Sequence, residues 1–364
     1  MKILFVLHLP PPVHGAATVG LQIKNSTIVN EAFSCEYINL GTSVTIEEIG
    51  KRRFVKLLRF FVILWRVLKT VLLQRPDLCY FSMTSKCMPF YKDATLALLV
   101  KLLGVKIVYH FHNKGVSINQ DKFIDNLLYR MVFKGSEVIL LSPHLYPDIQ
   151  KYVRKEHVYY CPNGITDIEH VQVSTADDTS VRLFFLSNLM EAKGVYLLLE
   201  ACKILKQKHL VFQCTFVGGV GDIDKQQFEC KLQELQLEDC VHYVGEKFGN
   251  EKADFFSAAD IFVQPTLNDC FPLVLLEAMQ YSLPVISTYE GGIPDIVDDT
   301  LTGFLIPKND IQALVGKLEL LIENADLRLQ MGRAARQKFE REFKSDKFEI
   351  RMTTILRQVL KMVN

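Results

Sequence analysis

Short apolar runs alternate with amphipathic stretches along the whole chain. In the first half the apolar runs predict strands at 2–8, 78–82, 105–111, 137–141 and 157–160. In the second half they predict strands at 181–187, 211–217, 241–244, 260–264, 284–287 and 303–306. The clearest helical patterns lie at 193–207, 224–236, 272–281 and 310–322. This alternation is typical of α/β folds, in which helices cover a parallel sheet.

The length of the chain predicts two domains. It has 364 residues, whereas single hydrophobic cores stop growing at roughly 250–300 residues. Turn residues at 162–164 (PNG) precede a polar stretch at 172–180, so we place the boundary between domains 1–165 and 166–344. Two open α/β domains are expected to bring the carboxyl ends of their strands to a shared crevice, where such sheets bind ligands.

The composition narrows the compartment and the class of protein. Hydrophobic residues make up 49% of the chain, yet no apolar run reaches the ~18–20 residues of a membrane span. The short run 3–9 leads into a Pro-rich loop and is interpreted as a first strand rather than a signal peptide. The nine cysteines include no C-x-x-C pair, which argues against a disulfide framework or a zinc site. We therefore expect a cytoplasmic protein.

The net charge of +1 hides an uneven distribution. Through residue 170 there are 21 basic and 13 acidic residues, a net +8, and the remainder carries 21 and 28, a net −7. Halves of opposite sign indicate two domains with different partners. No interleaving of basic and aromatic residues typical of nucleic-acid binding is present, so no nucleic-acid partner is expected.

The stretch 51–75 holds eight basic residues and no acidic residue. On a helix, one side carries Arg52, Lys56, Arg59, Arg66 and Lys69, and the opposite sector carries Phe54, Leu58, Phe61, Trp65, Leu68 and Leu72. Two interpretations stay open. The apolar sector packs on the first sheet, or the helix lies on an anionic membrane at the inner face of the cell.

The densest candidate chemistry lies in residues 260–297. A buried strand runs into a loop with Asp269, and Pro272 opens a helix that contains Glu277. Because a helix N-terminus presents unpaired N–H groups, the loop is suited to a phosphate. Two flanking carboxylates can bind hydroxyls, and this combination suits a sugar joined to a nucleotide by a pyrophosphate.

Asp269 and Glu277 stand eight residues apart, followed by Leu283-Pro284-Val285-Ile286 and G-G-I-P-D-I-V. This resembles the E-x7-E region of glycosyltransferase family 4, the retaining, nucleotide-sugar-dependent enzymes of group 1 with the GT-B fold. Further pieces agree in order: the 10–15 loop (PPPVHG), the 162–164 turn, Ser187-Asn188-Leu189, Lys193-Gly194, Val217-Gly218-Gly219, Tyr243-Val244-Gly245 and Leu301-Thr302-Gly303-Phe304-Leu305. The resemblance implies two Rossmann-like domains with parallel sheets facing across a central crevice, and a last helix at 345–364 that crosses back to the first.

The resemblance also implies roles for the residues of the second domain. Glu277 would hold the ribose hydroxyls, and Lys193 would bind the pyrophosphate and stabilise the leaving nucleoside diphosphate. Asp269, where the family usually has Glu, would bind the donor sugar or alternatively cap the helix at 272. The remaining donor contacts would come from Gly218, Cys270, Phe271, Pro272 and Leu273. Asn188 stands where the family has a phosphate-binding arginine, so one cation is missing.

In the first domain, the resemblance implies that Gly15 lets the backbone approach the diphosphate and that His112 lies at the sugar site. His14 is assigned equally to the site or to the loop. His110 is expected to face the other side of its strand and to be structural.

Together these features predict a glycosyltransferase that moves a sugar from a nucleoside diphosphate to a glycan or lipid-linked acceptor, in bacterial surface polysaccharide synthesis. No metal or other cofactor is expected. Two alternatives stay open: a non-catalytic GT-B subunit, and a GT-B sugar-nucleotide epimerase or hydrolase.

Overall fold

The computed structural model describes residues 1–12, 14–41, 53–168 and 180–361. They form two compact units, Met1–Asn163 with Ser345–Asn364, and Gly164–Lys344. The boundary falls within the 162–164 turn. Arg52 and most of the predicted polar loop 172–180 lie outside the described residues.

The first unit is built on a parallel sheet whose described strands have the order β2-β1-β3-β4-β5-β6. The strands are β1 (Lys2–Leu7), β2 (Ser34–Asn39), β3 (Leu78–Met83), β4 (Ile107–Phe111), β5 (Glu137–Leu140) and β6 (Val158–Tyr160). The helices are α1 (Gly15–Asn25), α2 (Thr27–Ala32), α3 (Arg53–Gln74), α4 (Cys87–Leu102), α5 (Val116–Asn119) and α6 (Phe123–Phe133). Strands β3, β4 and β5 are buried along their whole length, as expected for a parallel sheet covered on both faces.

The second unit repeats this architecture, with described strands in the order β12-β11-β10-β7-β8-β9. The strands are β7 (Val181–Leu186), β8 (Phe212–Val217), β9 (Val241–Tyr243), β10 (Ile261–Gln264), β11 (Val285–Thr288) and β12 (Gly303–Ile306). The helices are α7 (Val195–Gln207), α8 (Lys225–Leu235), α9 (Gly249–Ala258), α10 (Leu273–Gln280), α11 (Ile293–Ile296), α12 (Ile311–Glu323) and α13 (Ala325–Glu342). The predicted class of two Rossmann-like α/β domains with parallel sheets is confirmed.

The last helix, α14 (Ser345–Lys361), belongs to the first unit. It packs on α2, and Ser26, the N-cap of α2, donates a hydrogen bond to Glu349 Oε2 at 2.5 Å. Its apolar side is buried through Phe348, Met352 and Leu356. This helix therefore contributes to the core of the unit that contains the start of the chain.

Strand β2 was missed by the sequence analysis. It lies at the edge of the first sheet, and within it only Ile38 is buried. Because an edge strand has less of its surface covered than a central strand, SCEYIN shows no apolar run. Pairing with β1 in parallel register, from Lys2 opposite Ser34 to Leu7 opposite Asn39, is what makes it a strand.

Helix α3 forms, but the proposed packing of its apolar sector on the sheet is wrong. A narrow strip consisting of Ile63, Val67 and Val71 is buried. The predicted inner sector is mostly exposed: Phe54, Leu58, Phe61, Trp65 and Leu72 all lie more than half in solvent. The helix is apolar on more sides than one, so the pattern alone did not identify the packed strip. Among the described residues, no helix is both long enough and apolar enough to cross a membrane.

Candidate active site

The candidate site lies at the carboxyl edge of the second sheet. From β7 the chain proceeds through β8 to β9 on one side, and from β10 through β11 to β12 on the other. Strands β7 and β10 are therefore neighbours, and the strands that follow each of them are added on opposite sides of the sheet. Open α/β sheets bind their ligands at such switch points, outside the carboxyl ends of the strands.

The loops after β7 and β10 are fastened to each other. The carbonyl of Ala192 accepts hydrogen bonds from Leu267 N at 2.8 Å and from Thr266 Oγ1 at 3.0 Å. Gly194 has a φ of 84°, and a Cβ at this position would lie 2.2 Å from the carbonyl oxygen of Pro265. Only glycine permits this approach of the two backbones. This close contact between the two loops sets the position of Lys193, which lies in a short 3₁₀ turn before α7.

Lys193 and Asp269 meet at this junction. Lys193 Nζ lies 2.5 Å from Asp269 Oδ2, and the other carboxylate oxygen of Asp269 accepts a hydrogen bond from Cys270 N at 2.8 Å. The two side chains are 23% and 14% exposed, so the pair borders solvent. Asp269 does not cap the helix, because Pro272 precedes α10 without a side-chain cap. A phosphate oxygen could compete with this carboxylate for the ammonium group.

A turn after β11 is hydrogen-bonded to the Asp269 loop. Gly292 N donates to the carbonyl of Cys270 at 2.7 Å, and Asp269 N donates to Glu290 Oε1 at 3.3 Å. Glu290 is 4% exposed, and its second oxygen lies 2.8 Å from Lys308 Nζ. Neither Glu290 nor Lys308 was predicted from the sequence. The signal available for Glu290 was its place directly before the G-G-I-P-D-I-V segment.

Glu277 lies in α10 and binds Lys252 of α9. The ammonium group of Lys252 lies 2.9 Å from each carboxylate oxygen of Glu277. Both side chains reach solvent, at 31% and 21% exposure. Lys252 was also missed, because no motif connects residues 25 positions apart on different helices. At the start of α10, Cys270 and Phe271 are buried and Leu273 is the first helical residue.

Asn188 and Gly218 lie where the loops after β7 and β8 meet. Asn188 Oδ1 accepts a hydrogen bond from Gly219 N at 3.2 Å, so its amide engages the neighbouring loop backbone. Gly218 has a φ of 146°, and a Cβ there would lie 1.9 Å from the carbonyl oxygen of Ser187. Its N–H donates to the carbonyl of Gly245, and its own carbonyl accepts from the Tyr243 hydroxyl, each at 2.9 Å. This glycine brings the ends of three strands close together.

At the carboxyl edge of the first sheet, histidines gather around the switch point between β1 and β3. His112 follows β4 directly, and burial together with nearby His8 and His14 lowers its pKa to about 3. The rings of His8 and His14 are 5.7 Å apart. His14 Nδ1 caps α1 by accepting from Ala17 N at 3.3 Å, which gives this residue a structural role. Among the described residues, leaving aside its chain neighbours and its own helix backbone, no heavy atom lies within 4 Å of a Cβ built on Gly15.

The expectation for the orientation of His110 was wrong. Its ring lies 4.2 Å from that of His112, because residues two apart on a strand share a face. His110 is fully buried, and its Nδ1 lies 2.6 Å from the Tyr80 hydroxyl. The two histidine rings therefore lie next to each other on one side of the strand, tilted by 45°.

Comparison with known proteins finds sequences and structures that are similar to this chain. Residues 167–338 match the family described as Glycosyl transferases group 1. The amylovoran biosynthesis glycosyltransferase AmsK of Erwinia amylovora is 34% identical over 253 residues, which are 67% of this chain and 62% of that protein. The putative colanic acid biosynthesis glycosyltransferase WcaL of Escherichia coli K12 is 29% identical over 275 residues, 70% of this chain and 65% of that protein. The chain thus spans less than two thirds of the length of these relatives.

Solved structures support the fold over the full chain. Sucrose-phosphate synthase from Thermosynechococcus elongatus is similar with a TM-score of 0.78 at 17% identity, covering 99% of each chain. Anabaena Alr3699/HepE in complex with UDP is similar with a TM-score of 0.76 at 18% identity, covering 98% of this chain and 100% of that one. At these identities the likeness shows the fold, and the predicted GT-B class is confirmed.

Proposed function

We propose, from the group 1 glycosyltransferase domain at residues 167–338, that this chain is a retaining glycosyltransferase of family 4. It transfers a sugar from a nucleoside diphosphate to a glycan or lipid-linked acceptor in bacterial surface polysaccharide synthesis. The relatives named for amylovoran and colanic acid biosynthesis support that role. The observation that carries the proposal is the contact of Lys193 with Asp269 at the switch point of the second sheet.

In the proposed reaction the donor diphosphate takes the place of Asp269 on Lys193. A diphosphate carries more charge than one carboxylate, so it competes well for the ammonium group. The freed Asp269 carboxylate then accepts hydrogen bonds from hydroxyls of the donor sugar. Lys193 stabilises the charge that develops on the leaving diphosphate, which matters more here because Asn188 supplies no cation.

The other proposed contacts surround this exchange. Glu277 accepts hydrogen bonds from the ribose hydroxyls, and the backbone at Gly218 and Cys270 to Leu273 contacts the nucleotide and the phosphates. Gly15 and His112 serve the same reaction from the first unit. In the bond change itself, the bond from the anomeric carbon to the phosphate oxygen breaks while a bond from the acceptor oxygen forms on the same face. The acceptor proton passes to the departing phosphate, so no metal or other cofactor is required.

We also propose that the protein works at the inner face of the cell membrane. The basic region 51–75 would contact anionic lipid there, which suits an acceptor carried on a lipid.

The test is donor turnover by the purified protein. Nucleotide sugars are screened for a thermal shift, and those that bind are assayed with extracted glycolipid for release of nucleoside diphosphate and transfer of sugar. Lys193→Ala is expected to lower kcat/KM for the donor by about 10²–10³-fold, as for loss of one preorganised transition-state contact. Glu277→Ala is expected to raise the donor KM with a smaller effect on kcat.

A matched control is Lys208→Ala. Lys208 also forms a lysine–carboxylate pair in the second unit, 2.5 Å from Glu319, but it lies at the opposite end of α7 from Lys193. It is expected to keep wild-type turnover. Wild-type rates in Lys193→Ala would overturn the site. Donor conversion without acceptor would indicate an epimerase or hydrolase, and binding without any turnover would indicate a non-catalytic subunit.

A further inference from the structure

Helix α3 leaves an unusually large apolar sector in solvent. Counting about 100° per residue, Phe61, Trp65 and Leu72 lie about 120° to 160° around the helix from the buried Val67. Trp65 is 63% exposed and Phe54 is 71% exposed. Scattered exposed apolar residues are ordinary on soluble proteins, whereas a contiguous sector of this size indicates an interaction surface.

The apolar sector continues onto α4. The two helices pack side by side and enclose an open groove of about 550 Å³. Apart from Thr95, every side chain that lines the groove is apolar, and Phe61, Trp65, Leu98 and Leu102 are among them. Leu102, at the end of α4, is 84% exposed. The Thr95 hydroxyl already donates to the carbonyl of Tyr91, and the other lining side chains are apolar, so the groove suits a hydrocarbon chain.

Helix α6 extends this surface further. It packs against α4, and its Phe123, Ile124 and Leu127 are each at least half exposed. We call the exposed apolar residues of α3, α4 and α6 together with this groove the helical apolar face.

The charged side chains near the helical apolar face indicate which kind of partner it binds. Over the described part of α3, from Arg53 to Gln74, no residue is acidic. Arg66 and Lys69 are exposed, and they lie about 100° and 160° around the helix from Val67, in the direction opposite to Phe61 and Trp65. Long basic side chains can reach anionic headgroups while the apolar residues between them enter the acyl region. A second copy of the chain would instead place an equally basic α3 against this one, and like charges oppose that pairing.

We propose that the helical apolar face docks on an anionic phospholipid bilayer with Trp65 inserted, and that lipid hydrocarbon chains occupy the groove between α3 and α4. The inference deepens the membrane contact in the proposed function by assigning three helices and a groove to it. Docking would hold the enzyme where a lipid-linked acceptor is displayed.

The chain provides its own probe, because Trp65 is its only tryptophan. The full-length protein is titrated with vesicles of phosphatidylcholine alone and of phosphatidylcholine mixed with phosphatidylglycerol. With the anionic vesicles, Trp65 emission is expected to shift to shorter wavelength and to be quenched by lipids brominated on their acyl chains. Added salt is expected to weaken the effect, since headgroup attraction is screened.

Two pairs of variants separate charge from apolar contact. Arg66→Glu with Lys69→Glu is expected to weaken binding to anionic vesicles by at least about tenfold. Lys347→Glu with Arg357→Glu, the same charge change at exposed positions on α14, is expected to change it by less than about twofold. Phe61→Ser with Leu72→Ser is expected to abolish the emission shift, whereas Leu320→Ser with Leu329→Ser in the second unit leaves it intact. Circular dichroism and donor thermal shift check that each variant folds.

Three results would overturn the proposal. The first is an unchanged Trp65 emission with anionic vesicles, and the second is an emission shift that grows with protein concentration without lipid, which indicates self-association. The third is equal vesicle binding by the α3 and α14 charge variants. Vesicle binding is measured without a sugar nucleotide, so it is independent of the turnover assay. A protein that turns over the donor but does not bind vesicles refutes the docking proposal alone. A protein that binds vesicles but does not turn over the donor refutes the proposed function alone.

Discussion

Gly291→Ala tests whether the turn after β11 positions the Asp269 loop. Gly291 has a φ of 53°, and a Cβ on it would lie 2.4 Å from the carbonyl oxygen of Asp269 and 2.7 Å from that of Cys270. Carbon and oxygen atoms normally approach no closer than about 3.4 Å, so one backbone must move by about 1 Å. Both atoms are main chain, and no side-chain rotation can relieve the contact.

The displacement is expected to act on the reaction more than on folding. A misplacement of about 1 Å can lower a catalysed rate by about 10²-fold, so we expect kcat/KM for the donor to fall by that order. The left-handed backbone adds a cost of about 1–2 kcal/mol for alanine, which would lower the free energy of unfolding. Donor turnover and chemical denaturation of the same preparation measure the two effects.

Gly135→Ala is the matched control. Gly135 has a φ of 66°, and apart from its chain neighbours its Cβ would meet no heavy atom of the described part of the chain within 4 Å. It lies in the first unit, in the loop between α6 and β5. The two variants therefore share the backbone cost but differ in the clash. Donor kinetics of Gly291→Ala within about twofold of Gly135→Ala would refute the reasoning that this turn sets the position of Asp269.

Two further predictions concern the ion pair of Lys252 with Glu277 and the buried histidines His8 and His112. Lys252→Ala leaves Glu277 without its cation and is expected to raise the donor KM about fivefold, or about 1 kcal/mol, while stability changes by less than ~1 kcal/mol because the pair is partly exposed. An unchanged KM would show that this pair does not hold Glu277 for the donor. Burial also lowers the pKa values of His8 and His112 to about 3 in the folded protein, from 6.5. The unfolded chain thus binds more protons between pH 6.5 and 3, and the free energy of unfolding should fall as the pH drops through that window, by up to about 1.4 kcal/mol per pH unit for each histidine. Denaturation curves measured between pH 6.5 and 3 should show a smaller loss of unfolding free energy for His8→Gln than for wild type or for the control His242→Gln at an exposed position. Equal losses would contradict the assignment of this pH dependence to the buried histidines.

Several candidate site residues could be proposed from the sequence, whereas the side chains that contact them could not. Glu277, Asp269 and Lys193 stand in short local patterns, so their chemistry could be inferred from neighbours along the chain. The partners Lys252, Glu290 and Lys308 belong to no such pattern. Their contacts depend on which helices and loops pack together, and residue spacing alone carries no information about that.

The sequence by itself determined the fold class. Runs such as IVYHF and IFVQ are buried along their whole length in parallel sheets, so they are mostly apolar and stand out from the helices between them. Strand β2 could not be predicted in this way, since an edge strand is buried too little to require an apolar run.

Only the tertiary structure decided which groups meet. Lys193 and Asp269 are 76 residues apart, and they touch because hydrogen bonding makes β7 and β10 neighbours in the sheet. The packed side of α3 was likewise undecided in a helix that is apolar over most of its circumference. Packing selected Ile63, Val67 and Val71 for burial and left Trp65 in solvent, because a sheet and one neighbouring helix can cover only part of a helix surface.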